Sequence, residues 1–278
     1  SVNAAGKDLL VIGCGTLGER VARQWKETNP DNLVVGETKG NTRHASFREH
    51  GITPRLLDSD EAKSGEKFPY VVFSAPPSSS SDYVEDLERA ISLWDKSGVL
   101  VFTSSGGAYS EEDGGIVTEN SPTKDPSKSA RAKVLHDSEQ TVLKADGTVL
   151  RLAGLYTLQR GAHSYWLNRK QVSGSPEGLI NLIHYDDAAG LVVAALAAGD
   201  KAKGQIFLGS DDQPVTRQEI CEAAIRHPFY GARFQMPTFT AQFGPKGKRY
   251  DNSATRDTLE WQPKYPSFSK FMAAESSA

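Results

Sequence analysis

The stretch Asp8-Leu9-Leu10-Val11-Ile12-Gly13-Cys14-Gly15-Thr16-Leu17-Gly18 decides the fold. Asp8–Ile12 carries an unbroken apolar run that stops at glycine. Such a run suits a strand buried on both faces of a parallel sheet. Gly13-x-Gly15-x-x-Gly18 then matches the G-x-G-x-x-G pattern. Gly13 permits a tight turn, Gly15 lets a pyrophosphate approach the backbone, and Gly18 lets the next helix pack on the strand. Leu17, Val21 and Trp25 recur at helical spacing. The turn therefore opens an amphipathic helix whose N-terminus offers free N–H groups and a positive dipole end to phosphates. Gly13, Cys14, Gly15, Thr16, Leu17 and Gly18 are the expected phosphate-side contacts, Cys14 as a small turn residue rather than a reactive thiol.

Working outward, Asn32–Val35, Pro54–Leu57, Tyr70–Phe73, Gly98–Phe102, Thr148–Leu152 and Gln205–Leu208 read as further strands. Between them lie helical patterns: Val84, Leu87, Ile91 and Trp94, then Val134–Leu143, then Asp186–Ala198. Leu182–Ile183 is short and apolar, and Thr216 with Glu219 forms a capping box. Strands alternating with helices specify an α/β class, a doubly wound parallel sheet of the Rossmann type. Right-handed crossovers leave a ligand crevice at the carboxyl ends of its strands. The expected division is a dinucleotide-binding domain at 1–160, continued by 183–209. A small C-terminal substrate lobe takes 161–182 and 210–278. Ser78–Ser81, Lys124–Lys128 and Phe243–Arg249 read as loops, and Ala273–Ala278 as a frayed tail.

Composition narrows the function classes. The 278 residues are 38% hydrophobic and 24% charged, with net charge −3, a soluble globular profile. No basic footprint marks a nucleic-acid partner. The longest apolar stretch, near Leu191–Ala198, is far short of the ~20 residues of a membrane span. Two cysteines against 25 glycines leave no disulfide scaffold and no thiolate zinc site, so no metal is expected. The start, Ser1-Val2-Asn3-Ala4-Ala5-Gly6-Lys7, has neither a methionine nor a secretory pattern.

Glu37 follows the second strand at the position of the acidic residue that binds ribose hydroxyls, which favours NAD. Thr38, Lys39, Thr42 and Arg43 come next and would take a 2′-phosphate, so NAD and NADP both stay open. Asp58 is placed to reach the adenine, and Ala75-Pro76-Pro77 to line the crevice. Thr103-Ser104-Ser105 puts hydroxyls at the end of the fifth strand.

Four segments in order carry a family likeness. They are Gly13-x-Gly15-x-x-Gly18, Thr103-Ser104-Ser105-x-x-x-Tyr109, Arg151-Leu152-Ala153-Gly154-Leu155-Tyr156 and Ile183-His184-Tyr185-Asp186-Asp187-Ala188. The ending Lys248-Arg249-Tyr250-Asp251-Asn252-Ser253 through Trp261-Gln262-Pro263-Lys264-Tyr265-Pro266-Ser267 adds to it. Over nearly its whole length the chain resembles the extended or atypical short-chain dehydrogenase/reductases. These include nucleotide-sugar epimerases and dehydratases, and the small YeeZ-like branch looks most similar. The resemblance implies a serine that orients the substrate oxygen, a tyrosine that transfers the proton, and a lysine that lowers the tyrosine pKa and holds the nicotinamide ribose. By position, Ser105 matches the serine and Lys133 the lysine, while Ser104 and Leu155 join the cofactor contacts. The tyrosine of Y-x-x-x-K falls on Ser129. An alcohol is far less acidic than a phenol at ~10 and cannot replace it unaided. Tyr109, Tyr156 and Tyr165 are the candidate substitutes, Tyr109 first.

Two functions follow from the resemblance. One is an NAD(P)-dependent oxidoreductase or epimerase-like enzyme for a small polar or nucleotide-linked substrate. The other is a silent NAD(P)-binding sensor, scaffold or subunit of a larger complex. The expected compartment is the cytoplasm or the chloroplast stroma. Among secondary features, His184 with Asp186-Asp187 reads as a loop-ordering helix cap, Arg151 as internally paired and Cys221 as core. His163, Tyr165, Trp166 and Arg169 offer lobe packing or a polar-ligand surface. Lys246, Lys248 and Arg249 beside Tyr250 read as a solvated basic loop.

Overall fold

The computed structural model describes residues 6–275. Its centre is a seven-stranded parallel sheet. In chain order the strands are β1 (Leu9–Ile12), β2 (Val34–Thr38), β3 (Thr53–Leu56), β4 (Tyr70–Phe73), β5 (Leu100–Ser105), β6 (Thr148–Leu152) and β7 (Ile206–Gly209). Their spatial order is β7-β6-β5-β4-β1-β2-β3, every neighbour parallel. The winding reverses between β1 and β4, which opens a crevice beyond their carboxyl ends.

Helices cover both faces, which is why the strands read as apolar runs. On one face α1 (Thr16–Thr28) lies beside α5 (Tyr185–Ala197). Leu17, Val21, Trp25, Leu191, Val192 and Leu196 pack there against Leu9, Val11 and Leu150. On the other, α2 (Tyr83–Ser92) and α3 (Ala130–Lys144) press Leu87, Ala90 and Val142 onto Leu10, Val71, Leu100 and Phe102. Each fully buried Leu or Val is worth ~1.5–3 kcal/mol, so a charge placed at Val21 would unseat α1. A third cluster joins α4 (Ala162–Arg169), α6 (Arg217–Arg226) and α7 (Phe268–Glu275) around Tyr156, Leu182, Tyr230, Phe268 and Phe271. The α6 cap is reciprocal: Glu219 N donates to Thr216 Oγ1 at 3.1 Å, and Thr216 N to Glu219 Oε2 at 2.7 Å. No helix among the described residues is long and apolar enough to cross a membrane.

Several boundaries differ from the expectation. β2 runs two to three residues later than Asn32–Val35, so Glu37 lies inside the strand. β5 continues past Phe102 through Ser105, because β6 offers Leu150, Arg151 and Leu152 as partners for Thr103, Ser104 and Ser105. The Phe243–Arg249 loop gives way at Gly247–Tyr250 to a strand, paired parallel with Asp113–Val117. That pairing joins segments more than 100 residues apart and leaves no periodicity in either. Ala273–Glu275 is helical as the end of α7 rather than frayed. The rest of the expected tail, 276–278, and residues 1–5 of the chain start lie outside the described residues.

Candidate functional site

The glycine turn is set by close backbone approach. Gly13 has φ +72°, and a Cβ there would sit 2.4 Å from Ala75 N. A Cβ on Gly18 would come within 2.9 Å of Val11 Cγ1 and Ser74 Oγ, so the third glycine sets the α1-to-sheet approach. Gly15 differs: its nearest neighbour would be 3.9 Å away, in open space. The first intrahelical bond of α1 is Glu19 N to Gly15 O, 2.9 Å. The amides of Thr16, Leu17 and Gly18 precede it and have no helical carbonyl to bond. Cys14 is fully buried and burial pushes its thiol up, which makes it inert.

Two cavities continue from this turn and share Gly13, Gly15, Arg43, Ala75 and Pro76. One, about 330 Å³, lies toward β2 and β3 and is bordered by Glu37, Thr38, Leu57 and Arg89. The other, about 650 Å³, runs over Thr16, Pro77, Ser105 and Leu155 to Tyr185. Together they form one crevice from the end of β2 to the end of β5. Asp58 stays exposed outside it, and Leu57 borders the crevice instead. Thr38 Oγ1 donates to Gly40 O at 2.7 Å and meets His44 Nε2 at 2.8 Å. Arg43 donates to Glu19 Oε2 at 2.8 Å and Thr16 Oγ1 at 2.9 Å.

Glu37 is only 1% exposed. Arg55 Nε donates to its Oε2 at 2.9 Å, while Arg89 donates to Oε1 at 2.7 Å and Oε2 at 3.1 Å. The carboxylate expected at the ribose is thus filled by guanidinium donors. Arg55 sits directly opposite Glu37 in the β2–β3 register.

At the end of β5 the hydroxyls divide. Ser105 Oγ accepts from Gly107 N at 3.1 Å and borders the crevice. Ser104 also borders it but spends its hydroxyl on Glu139 Oε1, 2.6 Å away. Glu139 in turn takes Arg151 Nε at 3.0 Å and Nη2 at 2.6 Å. The Arg151 guanidinium lies 4.9 Å from the Tyr109 ring centroid and donates to Glu119 O at 3.1 Å. Tyr109 is fully buried, donates to Glu119 O at 3.4 Å and has its phenol pushed up by burial. It borders neither cavity.

Of the Ser129…Lys133 pair, Lys133 borders neither part of the crevice, while Ser129 borders a neighbouring cavity that also touches Ser105. Ser129 is the N-cap of α3, with its hydroxyl accepting from Ala132 N at 3.0 Å. Lys133 is 64% exposed and pairs with Asp137 at 2.5 Å. Four-residue spacing aligns two side chains only inside a helix. Here the inward face of α3 carries Arg131, Leu135 and Glu139, fixed by the Glu139–Arg151 pair. Lys133 is two residues from Leu135, hence on the far side.

Two phenols border the crevice, Tyr83 and Tyr185. Tyr83 donates to Ala75 O at 2.6 Å and burial raises its pKa. Tyr185 accepts from Arg160 Nε at 3.0 Å, and the Arg20 guanidinium lies 5.4 Å from its ring centroid. Tyr185 lies in the Ile183–Ala188 segment, where the sequence points to the His184 and Asp186-Asp187 cap, and no sequence pattern marks Arg160. Tyr156 is buried against Phe268, Phe271 and His184. His184 caps α5 by accepting from Asp186 N at 3.0 Å. Lys264 N and Tyr265 N donate to Asp187. His163 is core: it meets Leu158 O at 2.9 Å, packs on Tyr230 and Phe268, and burial lowers it to about 4. Tyr165 is exposed under Arg169, and Cys221 is buried. No group of three His, Cys, Asp or Glu among the described residues is arranged to hold a metal.

Solved structures share this architecture across the full length. The dTDP-glucose 4,6-dehydratase of Bacillus anthracis, in complex with NAD, matches with TM-score 0.78 at 13% identity, over 98% of this chain and 96% of that one. The fold is that of the NAD-dependent epimerases and dehydratases. UDP-glucuronic acid 4-epimerase of Bacillus cereus, in complex with NAD, gives 0.75 at 16% identity over 97% of each chain. A functionally unknown conserved protein of Silicibacter pomeroyi gives 0.75 at 22% identity over 98% of each. No family model matches the sequence, and no curated protein matches it.

Proposed function

We propose that this chain binds a nicotinamide dinucleotide along the crevice and acts as an oxidoreductase or epimerase-like enzyme on a small polar substrate at Ser105. The observation that carries the reading is Gly15 facing open space beside the unpaired α1 amides, at the point where the winding reverses. The adenosine half would lie in the cavity bordered by Thr38, Leu57 and Arg89, the nicotinamide half over Ser105 and Leu155. Solved structures of the same fold hold NAD. With Glu37 filled by Arg55 and Arg89 and Arg43 held by Glu19, Lys39 is the cation at this cavity placed to meet a 2′-phosphate, so NADP fits as well as NAD.

The cofactor would supply a hydride donor or acceptor at nicotinamide C4. Ser105 would donate to the substrate oxygen. Tyr185, whose oxygen already accepts from Arg160, is the phenol placed to carry the substrate proton in place of Ser129. A positioned proton carrier is worth ~10²–10⁴-fold in rate, which sets the loss expected for Tyr185→Phe. Fluorescence titration with NADH and NADPH should show saturable binding of at least one. Saturable binding of neither would overturn the reading.

A second reading is a silent NAD(P)-binding sensor, scaffold or subunit. The outward Lys133 and the capping role of Ser129 favour it. Turnover separates the two: if Ser105→Ala and Tyr185→Phe leave every hydride-transfer activity unchanged while dinucleotide still binds, the chain is silent.

A further inference from the structure

A separate cavity of about 300 Å³ lies between Gly107–Ala108, Thr123–Lys124 and the inward face of α3. It meets the crevice at Ser105 and Leu135, which border both. Its ionisable lining is Lys124, Arg131, His136, Glu139 and Arg151. Glu139 and Arg151 satisfy each other at 2.6 Å, so they add little net charge. Asp137, the nearest acid along α3, is taken by Lys133. Lys124 and Arg131 form no ion pair among the described residues. Both cations are exposed at the mouth of the cavity, and no carboxylate among the described residues neutralises either, which leaves them available to an anion. Arg131 offers a planar fork suited to carboxylate or phosphate, with Lys124 as a point charge opposite. The volume is at the low end for ligand sites and matches a small acid better than a whole nucleotide sugar.

We propose that this cavity binds a carboxylate or phosphate group of the substrate, placing the reacting carbon at Ser105 on its rim. The substrate is then a small organic acid or phosphorylated polyol rather than a nucleotide sugar. The identification of the bound anion as substrate rests on the reaction site proposed above, whereas the anion site itself does not.

The test uses the full chain and follows the His136 C2–H resonance, assigned with His136→Gln, during titration with inorganic phosphate and separately with malonate. Either oxyanion should displace the His136 signal saturably, since the imidazole lines the same cavity. Lys124→Gln combined with Arg131→Gln should weaken that binding by about tenfold or more, with thermal midpoint and NADPH titration unchanged. Absence of a saturable His136 displacement, or an undiminished one in the double variant, would overturn the proposal. So would a displacement abolished by saturating NADPH, because the anion would then occupy the dinucleotide crevice. A His136 response without any NADH or NADPH binding would sink the dinucleotide reading and leave the anion site standing.

Discussion

Removing the charge of Glu37 tests whether its carboxylate belongs to the scaffold or to the ligand. Glu37→Gln keeps shape and volume but takes the negative charge from between Arg55 and Arg89. Arg55 is 7% exposed, so it would be left as a buried guanidinium without compensation. Breaking a buried pair from one side costs ~3–5 kcal/mol. The glutamine oxygen still accepts one of the donors, and Arg89 at 30% side-chain exposure can turn to water, which argues for the low end, about 3 kcal/mol. At ~2–4 °C per kcal/mol for chains somewhat shorter than this one, the midpoint should fall by roughly 6–12 °C. Calorimetric or circular-dichroism melts at neutral pH would measure it, with the exposed Glu61→Gln as control. Pairing Glu37→Gln with Arg55→Leu should recover part of the loss, because an apolar replacement for a buried ion pair is often nearly neutral. A fall of less than about 2 °C, equal to the control, would refute the reasoning. Glu37 would then be a solvated carboxylate free for ribose hydroxyls, and NADPH should bind far more weakly than NADH. With Glu37 committed to the arginines, wild-type affinity for NADPH should be no weaker than for NADH.

Three further outcomes follow from the geometry. Gly15→Ala should melt close to wild type yet lose dinucleotide binding in a fluorescence titration, whereas Gly13→Ala should be strongly destabilised in the same melts, since its Cβ meets Ala75 N at 2.4 Å with φ +72°. Ser129→Tyr should lose the α3 N-cap, at about 1 kcal/mol by denaturant titration. Stability against pH should rise from 4 to about 6.5 and then fall toward 8. Burial lowers His163 and His184 to about 4, so the folded state binds fewer protons than the unfolded state up to their ordinary 6.5, and stability climbs. Burial raises Asp211 from 3.8 to about 8, so over that whole range the folded state holds an extra proton; this offsets about half of the two-histidine gain below 6.5 and leaves a net decline above it. Asp211→Asn should flatten the decline in denaturant titrations across that range, and an unchanged slope would show that Asp211 is ionised when folded.

The sequence by itself determined the sheet, its winding and the glycine turn. Those features are local: Leu9–Ile12 needs apolar side chains on both faces, Gly13 needs a positive φ, and α1 needs its stripe of Leu17, Val21 and Trp25. Only the tertiary structure decided what the polar residues do. Glu37 occupies the expected position, but Arg55 from β3 and Arg89 from α2 converge on it from 18 and 52 residues away. Ser104 and Tyr109 lie beside the expected site in sequence, yet the Glu139–Arg151 pair draws them into the core. The start of α3 at Ala130 turns Lys133 outward and brings Arg131 and Leu135 in, which no residue spacing could specify without the helix boundary. Apolar periodicity is written along the chain because burial is a property of one face. Partnership among charged groups is settled by register and crossing, after the faces have met.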